Sequence, residues 1–82
     1  MIKVKYRGNL ASLTGIAEES LEARDVRAVI KSIRRRYGPE AGKAARAMLI
    51  ALNGESILLL NRYRTALKEG DVLSFFPIAA GG

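Results

Sequence analysis

Alternation between apolar and charged side chains marks the start of this chain. Three apolar residues interleave with three basic residues over 2–7, in the order Ile2, Lys3, Val4, Lys5, Tyr6 and Arg7. A period of two predicts a β-strand with one buried face and one open face. Residues 16–22 alternate more weakly, and their charges are typical of an edge strand. The two segments predict an antiparallel hairpin joined by a loop over 9–15, with Leu10 and Leu13 lying under the sheet.

A helical period follows the hairpin. Asp25 is a favourable N-cap residue, and apolar residues then recur three and four positions apart, at Val26, Val29, Ile30, Ile33 and Tyr37. This pattern predicts an amphipathic helix over 26–37, which ends at Gly38 and Pro39. Three arginines in its last turn complement the negative end of the helix dipole. The alanine-rich segment 40–47 is compatible with one or two helical turns or with a loop.

Shorter strand patterns fill the second half of the chain. The apolar run 48–52 leads into Asn53-Gly54, a dipeptide that favours a hairpin turn, and 57–60 is predicted to be the returning strand. Residues 61–69 are expected to cross irregularly to a turn at 70–71, and 72–76 forms the last strand. Leu73 and Phe75 are assigned to the core, which leaves Phe76 on the open face.

The order of these elements predicts an α+β fold. A single helix with one apolar stripe covers only one face of a sheet, and a right-handed crossover places the last strand parallel to the first at the sheet centre. This is the β-grasp (ubiquitin-like) arrangement, with a mixed sheet of four to five strands and one main helix. We expect a domain over 1–76 and a flexible tail over 77–82.

Composition narrows the possible chemistry. The chain has 82 residues, which suits one small domain, and it contains no cysteine and no histidine. A thiolate metal site, a cysteine nucleophile and a histidine base are therefore excluded, and the serines have no base to activate them. We expect no bound metal, no membrane segment and a cytoplasmic location. The net charge of +6 attracts nucleic acid, anionic membranes or acidic proteins.

The end of the sequence is unusual in its small side chains. After Pro77 and Ile78 come two alanines and two glycines, and the last carboxylate belongs to Gly82. A frayed terminus is the ordinary explanation of such a tail. However, the preceding strand holds the base of the tail, and a glycine carboxylate has no side chain to obstruct attack on its carbonyl. These features suit a carboxylate that is activated by another enzyme.

The segment 70–82 resembles the C-terminus of the ubiquitin-like sulfur carriers (the MoaD/ThiS family), above all the small subunit of molybdopterin synthase. The resemblance rests on Gly70-Asp71, Phe75-Phe76-Pro77 and Gly81-Gly82. Similar counterparts occur earlier in the chain, at 13–15, 52–54 and 67–71. The family has the β-grasp fold, which agrees with the element order.

The resemblance also implies a function. Gly82 would be adenylated and converted to a thiocarboxylate, which donates sulfur to the pterin precursor in molybdenum or tungsten cofactor biosynthesis. The implied partners are a ubiquitin-activating-type adenylyltransferase that uses ATP and Mg, a sulfur donor enzyme, and the large synthase subunit, which carries the catalytic residues. The chain itself would then be a carrier rather than an enzyme and would bind no cofactor.

The implied contact residues lie in the tail and on the open sheet face. Gly81 would pass through a narrow channel, and the partner-docking residues would be Arg7, Leu59, Phe76, Pro77, Ile78, Ala79 and Ala80. An apolar side chain from 57–60 is expected beside Phe76. Arg7 is charged where family members often carry an apolar residue.

Two other functions are compatible with the sequence. A related carrier for thiamine synthesis, tRNA thiolation or protein conjugation would share the tail chemistry, although Phe75-Phe76-Pro77 favours molybdopterin synthase. A basic RNA-binding module is supported by the charges of the helix, at Arg27, Lys31, Arg34, Arg35 and Arg36. It lacks interleaved exposed aromatic residues for base stacking, so a nucleic-acid partner is not expected.

Overall fold

The computed structural model describes residues 1–78, which form one five-stranded mixed sheet with helices packed on one face. The elements are β1 (Ile2–Lys5), α1 (Asn9–Thr14), β2 (Glu18–Leu21), α2 (Val26–Tyr37), α3 (Pro39–Arg46), β3 (Leu49–Leu52), β4 (Glu55–Ser56) and β5 (Val72–Phe76). Two 3₁₀ turns, Ile57–Leu59 and Arg62–Arg64, lie between β4 and β5. Among the described residues no helix is long and apolar enough to cross a membrane.

The strand order confirms the predicted β-grasp arrangement. The sheet runs β2-β1-β5-β3-β4, so the last strand lies at its centre. β5 pairs with β1 in parallel, with Val4 beside Leu73, and with β3 in antiparallel register, with Ile50 beside Phe75. β1 and β2 form the predicted antiparallel hairpin. β5, the strand that precedes the tail, is therefore paired on both edges, with β1 on one side and β3 on the other.

The core follows the periodicities of the sequence. α2 begins at Asp25, whose carboxylate accepts a hydrogen bond of 2.8 Å from the Ala28 N–H. Its apolar stripe packs on the sheet face that includes Leu73 and Phe75, both fully buried as predicted. α3 adds its small side chains to the same core and begins with Pro39, since proline is well tolerated in a first helical turn. The segment 40–47 is thus helical.

The predicted loop over 9–15 is wrong. α1 occupies most of it and ends at Gly15, which adopts a left-handed conformation (φ 79°) and donates its N–H to the Ala11 carbonyl at 2.9 Å. A glycine in this position is a common helix terminator, and it is the local signal for this helix. Leu10 is buried as expected, whereas Leu13 is 39% exposed. β2 is also shorter than predicted.

The predicted strand over 57–60 is also wrong. Pairing of β4 with β3 stops at Ser56, whose hydroxyl accepts a hydrogen bond from the Leu58 N–H at 3.2 Å. A serine that bonds to a nearby backbone group offers the chain an alternative to the sheet ladder, and here it starts a 3₁₀ turn. Ile57 is buried, but Leu58 and Leu59 are 61% and 75% exposed.

Candidate docking surface at the base of the tail

The base of the tail is held by contacts on three sides. β1 pairs with β5 as far as Ser74, and β3 pairs with it as far as Phe76. Pro77 then lies against Gly8 in the turn between β1 and α1. A Cβ added to Gly8, which has φ of 60°, would lie 3.2 Å from Pro77 Cβ. Glycine at this position therefore permits the close approach that directs the chain as it leaves the sheet.

Phe76 lies on the sheet face opposite the helices, as predicted. It is half-buried, because its ring lies under the Arg7 guanidinium, with 5.2 Å between Arg7 Cζ and the ring centroid. This geometry is a cation–π contact. Leu49 of β3 stands directly opposite Phe76 in the sheet and is 40% exposed. We call the residues around this contact the tail-root patch: Arg7, Leu49, Phe76, Pro77 and Ile78.

The structure brings some of the predicted docking residues together. Arg7 and Phe76 are in contact, and Pro77 and Ile78 follow directly and are exposed. Leu59 is exposed on the 3₁₀ turn after β4, and β3 lies between β4 and β5 in the sheet. The sheet neighbour of Phe76 is therefore Leu49 instead of a residue from 57–60. Predicted site residues Ala79, Ala80, Gly81 and Gly82 lie outside the described residues.

Sequence reasoning missed Leu49 because the run 48–52 is apolar throughout. Without alternation, the sequence does not show which side chains face away from the helices. The pairing of β3 with β5 shows that Leu49 faces away from the helices, since it lies directly opposite Phe76 and such residues share a face of the sheet.

Basic side chains continue the patch along β1. Lys3, Lys5 and Arg7 share the open face, and Lys3 Nζ forms an ion pair of 3.5 Å with Glu18. Lys5 lies beside Ser74 of β5, in the row next to Arg7 and Phe76. The open face therefore combines a small apolar centre with a positively charged border, which suits an acidic rim on a partner protein.

A hydrogen-bonded pair fixes the other end of β5. Asp71 accepts hydrogen bonds from the Asn53 side-chain amide at 3.0 Å and from the Lys68 N–H at 2.7 Å. These bonds lower the pKa of the Asp71 carboxyl, with the Lys68 backbone bond as the main cause. Asn53 also accepts a hydrogen bond from the Val72 N–H at 2.9 Å. The turn dipeptides Asn53-Gly54 and Gly70-Asp71 are thus joined by hydrogen bonds, which link the β3–β4 turn to the start of β5.

A second polar cluster lies on the helix side of the sheet. Glu19 of β2 accepts hydrogen bonds from the Tyr6 hydroxyl at 2.5 Å and the Tyr37 hydroxyl at 3.0 Å, and Arg36 lies 2.9 Å away. Burial, together with Glu19, raises the pKa of both tyrosines. The cluster joins the edge strand to the end of α2. Glu18 and Glu19 face opposite sides of the sheet, so they form no acid–base pair.

Within residues 1–78 no group of three or more Asp, Glu, His or Cys side chains could hold a metal ion. The most distinctive feature of the described residues is the central strand β5, which is paired on both edges and ends beside the tail-root patch.

Comparison with known protein families identifies the family of this chain. The model of the ThiS family matches residues 4–82, nearly the whole chain. The chain belongs to the ThiS family. This confirms the resemblance to the MoaD/ThiS ubiquitin-like sulfur carriers. No protein with a curated description matches this ThiS-family chain.

Solved structures place the same fold in several branches of these carriers and modifiers. The ThiS-family chain is 30% identical to a putative molybdopterin converting factor, subunit 1, from Pyrococcus furiosus; the match covers 95% of this chain and 97% of that one, with a TM-score of 0.76. It is 26% identical to small archaeal modifier protein 1 from Methanosarcina acetivorans over 99% of this chain and 95% of that one, with a TM-score of 0.87. Urm1 from Sulfolobus solfataricus, at 22% identity, 93% and 99% coverage and a TM-score of 0.71, shares the fold.

Proposed function

We propose that this ThiS-family protein is a sulfur carrier and the small subunit of a molybdopterin synthase. The observation that carries the proposal is the central strand β5, which is paired with β1 and β3 and ends at Phe76, and the following Pro77, which lies against Gly8. A tail that starts from a fixed point can be directed into a partner's active site. The similarity to the Pyrococcus furiosus subunit 1 supports the choice of pathway.

The chemistry takes place on Gly82. The carboxylate attacks the α-phosphate of ATP held with Mg by a separate adenylyltransferase, and pyrophosphate leaves. Sulfide sulfur from a donor enzyme then adds to the acyl carbon and displaces AMP, which leaves a C-terminal thiocarboxylate. In the synthase, this sulfur bonds to a carbon of the pterin precursor and displaces an oxygen leaving group from it. Water then cleaves the resulting thioester, which restores the Gly82 carboxylate and leaves the sulfur on the precursor as a thiolate. The chain supplies the carried group, and its partners supply the acid–base residues, so it is a carrier and not an enzyme.

The tail-root patch is the proposed docking site for both partners. Phe76 and Leu49 supply the apolar centre and Arg7 the adjacent charge, a composition suited to an interface hot spot. A structural neighbour from Helicobacter pylori, 23% identical with a TM-score of 0.70, is a complex of subunits 1 and 2 of molybdopterin-converting factor. The large synthase subunit is the corresponding proposed partner of this chain.

A second candidate function is protein modification. It is favoured by the TM-score of 0.87 with the Methanosarcina acetivorans modifier protein. The activation of Gly82 would be the same, but the acceptor would be a lysine amine in place of the pterin.

Intact mass spectrometry tests the proposal and separates the two functions. The chain is incubated with ATP, Mg, a matching adenylyltransferase and a sulfur source, and we expect one oxygen to be replaced by one sulfur. Adding the large subunit and the pterin precursor should return the chain to its original mass and yield the dithiolene product. A chain that never gains sulfur from a competent enzyme would refute the carrier function, and conjugates with lysine in place of dithiolene would favour the modifier.

A further inference from the structure

A basic groove lies on the helix side of the protein, away from the tail-root patch. It has a volume of about 740 Å³ and is bordered by α2, α3 and the 3₁₀ turn Arg62–Arg64. Five cationic side chains and one aromatic side chain line it: Arg27, Lys31, Arg34, Lys43, Arg46 and Tyr63. We call this feature the α2–α3 groove.

Helix geometry aligns the charges. Arg27, Lys31 and Arg34 are spaced four and three residues apart, so they form one stripe along α2. Lys43 and Arg46 of α3 are three residues apart and complete the opposite wall. The two helices approach closely because residue 42 is glycine.

Gly42 lies directly against Arg34. A Cβ at residue 42 would lie only 2.9 Å from Arg34 Cβ, a separation that side chains essentially never show. The glycine therefore allows two rows of positive charge to face each other across one groove.

Within residues 1–78 no carboxylate lies within salt-bridge distance of the groove cations. No acidic residue lines it, and none of its five cations takes part in the salt bridges found within residues 1–78. These five belong to the 14 Lys and Arg of the chain, and the other nine nearly balance the eight Asp and Glu. More than a third of the basic side chains of the chain therefore line this one groove. Like charges at this helical spacing repel each other, and a bound polyanion would relieve that repulsion.

We propose that the α2–α3 groove binds the phosphodiester backbone of a nucleic acid without sequence preference. Repeated phosphates match two facing rows of Arg and Lys, which are the usual partners of backbone phosphates. Tyr63 is 41% exposed, and its hydroxyl donates to the Arg46 carbonyl at 3.4 Å, so one aromatic ring is held at the edge. A single ring is too little for base-by-base stacking, and the phosphates therefore dominate the affinity.

Other anionic partners fit the groove less well. An acidic protein would have to match both rows of cations with irregularly spaced carboxylates, whereas the phosphates of a nucleic acid repeat regularly along its backbone. A flat bilayer surface does not follow a concave groove between two helices. Because the groove and the tail-root patch lie on opposite sides of the sheet, nucleic acid and a docked partner protein could be bound together.

Fluorescence anisotropy of the full chain with a short labelled duplex tests the proposal, once with RNA and once with DNA. With four or five phosphates neutralised, the logarithm of the binding constant should fall against the logarithm of salt concentration with a slope between about −3.6 and −4.5. Binding of both duplexes with this salt dependence would support recognition of the phosphodiester backbone, and a preference for one would show that duplex geometry also contributes to the affinity.

A matched pair of variants separates groove binding from general attraction to a basic protein. Arg34→Gln keeps the methylenes that pack on Gly42, and it should weaken binding on the order of tenfold at about 50 mM salt and reduce the slope by about one. Arg35→Gln removes the same charge from the next residue of α2, which does not line the groove, and should leave both values close to those of the unchanged protein.

Three outcomes would overturn the proposal. The first is an equal effect of Arg34→Gln and Arg35→Gln, which would show that only net charge matters. The second is competition by polyglutamate, or by anionic lipid vesicles, that is as strong as competition by unlabelled duplex at equal charge. The third is absence of duplex binding at low salt.

Discussion

Replacing Glu19 by alanine should destabilise the protein strongly, although Glu19 belongs to a short edge strand. Its side chain is 12% exposed and links three elements, because it accepts hydrogen bonds from Tyr6 of the β1 end and Tyr37 of α2 and pairs with Arg36. The neighbouring Glu18 provides a matched control. It faces the opposite side of the sheet, is 49% exposed and makes one ion pair of 3.5 Å with Lys3.

The magnitude follows from what each partner of Glu19 loses. The Tyr6 residue is 2% exposed, and a buried hydroxyl left without an acceptor costs about 1–3 kcal/mol. The Tyr37 hydroxyl is partly exposed and can turn to water, which limits its loss to about 1 kcal/mol. The half-exposed Arg36 pair contributes about 0–0.5 kcal/mol. Glu19→Ala should therefore lower the free energy of unfolding by about 2–4 kcal/mol, and Glu18→Ala by less than about 0.5 kcal/mol.

Urea unfolding followed by circular dichroism at neutral pH measures the difference. With a slope of about 1–2 kcal/mol per molar urea, the midpoint of Glu19→Ala should fall by at least about 1 M. Adding Tyr6→Phe to Glu19→Ala should recover part of the loss, since the unpaired hydroxyl is then absent. If Glu19→Ala and Glu18→Ala had the same midpoint, or if the double variant were additive, the cluster would not stabilise the fold as reasoned here.

Three further predictions concern docking, the tail and pH. Phe76→Ala should weaken binding to the large synthase subunit by about 1–2 kcal/mol in titration calorimetry, and unchanged affinity would place Phe76 outside the interface. Deletion of Gly82 should stop AMP and sulfur transfer in intact mass spectrometry without changing the thermal midpoint, because one residue displaces the carbonyl by about 3.5 Å; continued transfer would contradict the assignment of Gly82. The lowered pKa of Asp71 means that its stabilising contribution is present above the unfolded-state pKa, near about 4, and is lost as the pH falls through the folded-state pKa. The free energy of unfolding should therefore fall less steeply with acid in Asp71→Asn than in the unchanged protein, and parallel acid curves would be inconsistent with this role.

The sequence alone determined the elements whose side chains repeat with a clear period. Strict alternation identified β1, helical spacing after an N-cap identified α2, and alternation in β5 placed Phe75 in the core and Phe76 outside. The order of elements then determined the β-grasp topology, because a single amphipathic helix and a right-handed crossover leave few other arrangements. The motif of residues 70–82 indicated the MoaD/ThiS family.

The tertiary structure decided the features that depend on contacts between distant segments. The apolar run 48–52 has no alternation, so only its pairing with β5 showed that Leu49 lies beside Phe76. The run 57–60 is as apolar as a strand, but Ser56 bonds to Leu58 and turns the chain out of the sheet. The hydrophobic pattern of a segment reflects only whether its side chains are buried. It carries no information on which other segment the backbone will hydrogen-bond to.

The same reason explains the polar sites. Asn53 and Asp71 are both ordinary turn residues in the sequence, and the fold alone brings them within 3.0 Å. Glu19 gains two tyrosine partners from elements 13 and 18 residues away in the chain. The α2–α3 groove exists because Gly42 lets two basic helix faces approach each other. The order of charges along the sequence does not show that these two faces meet.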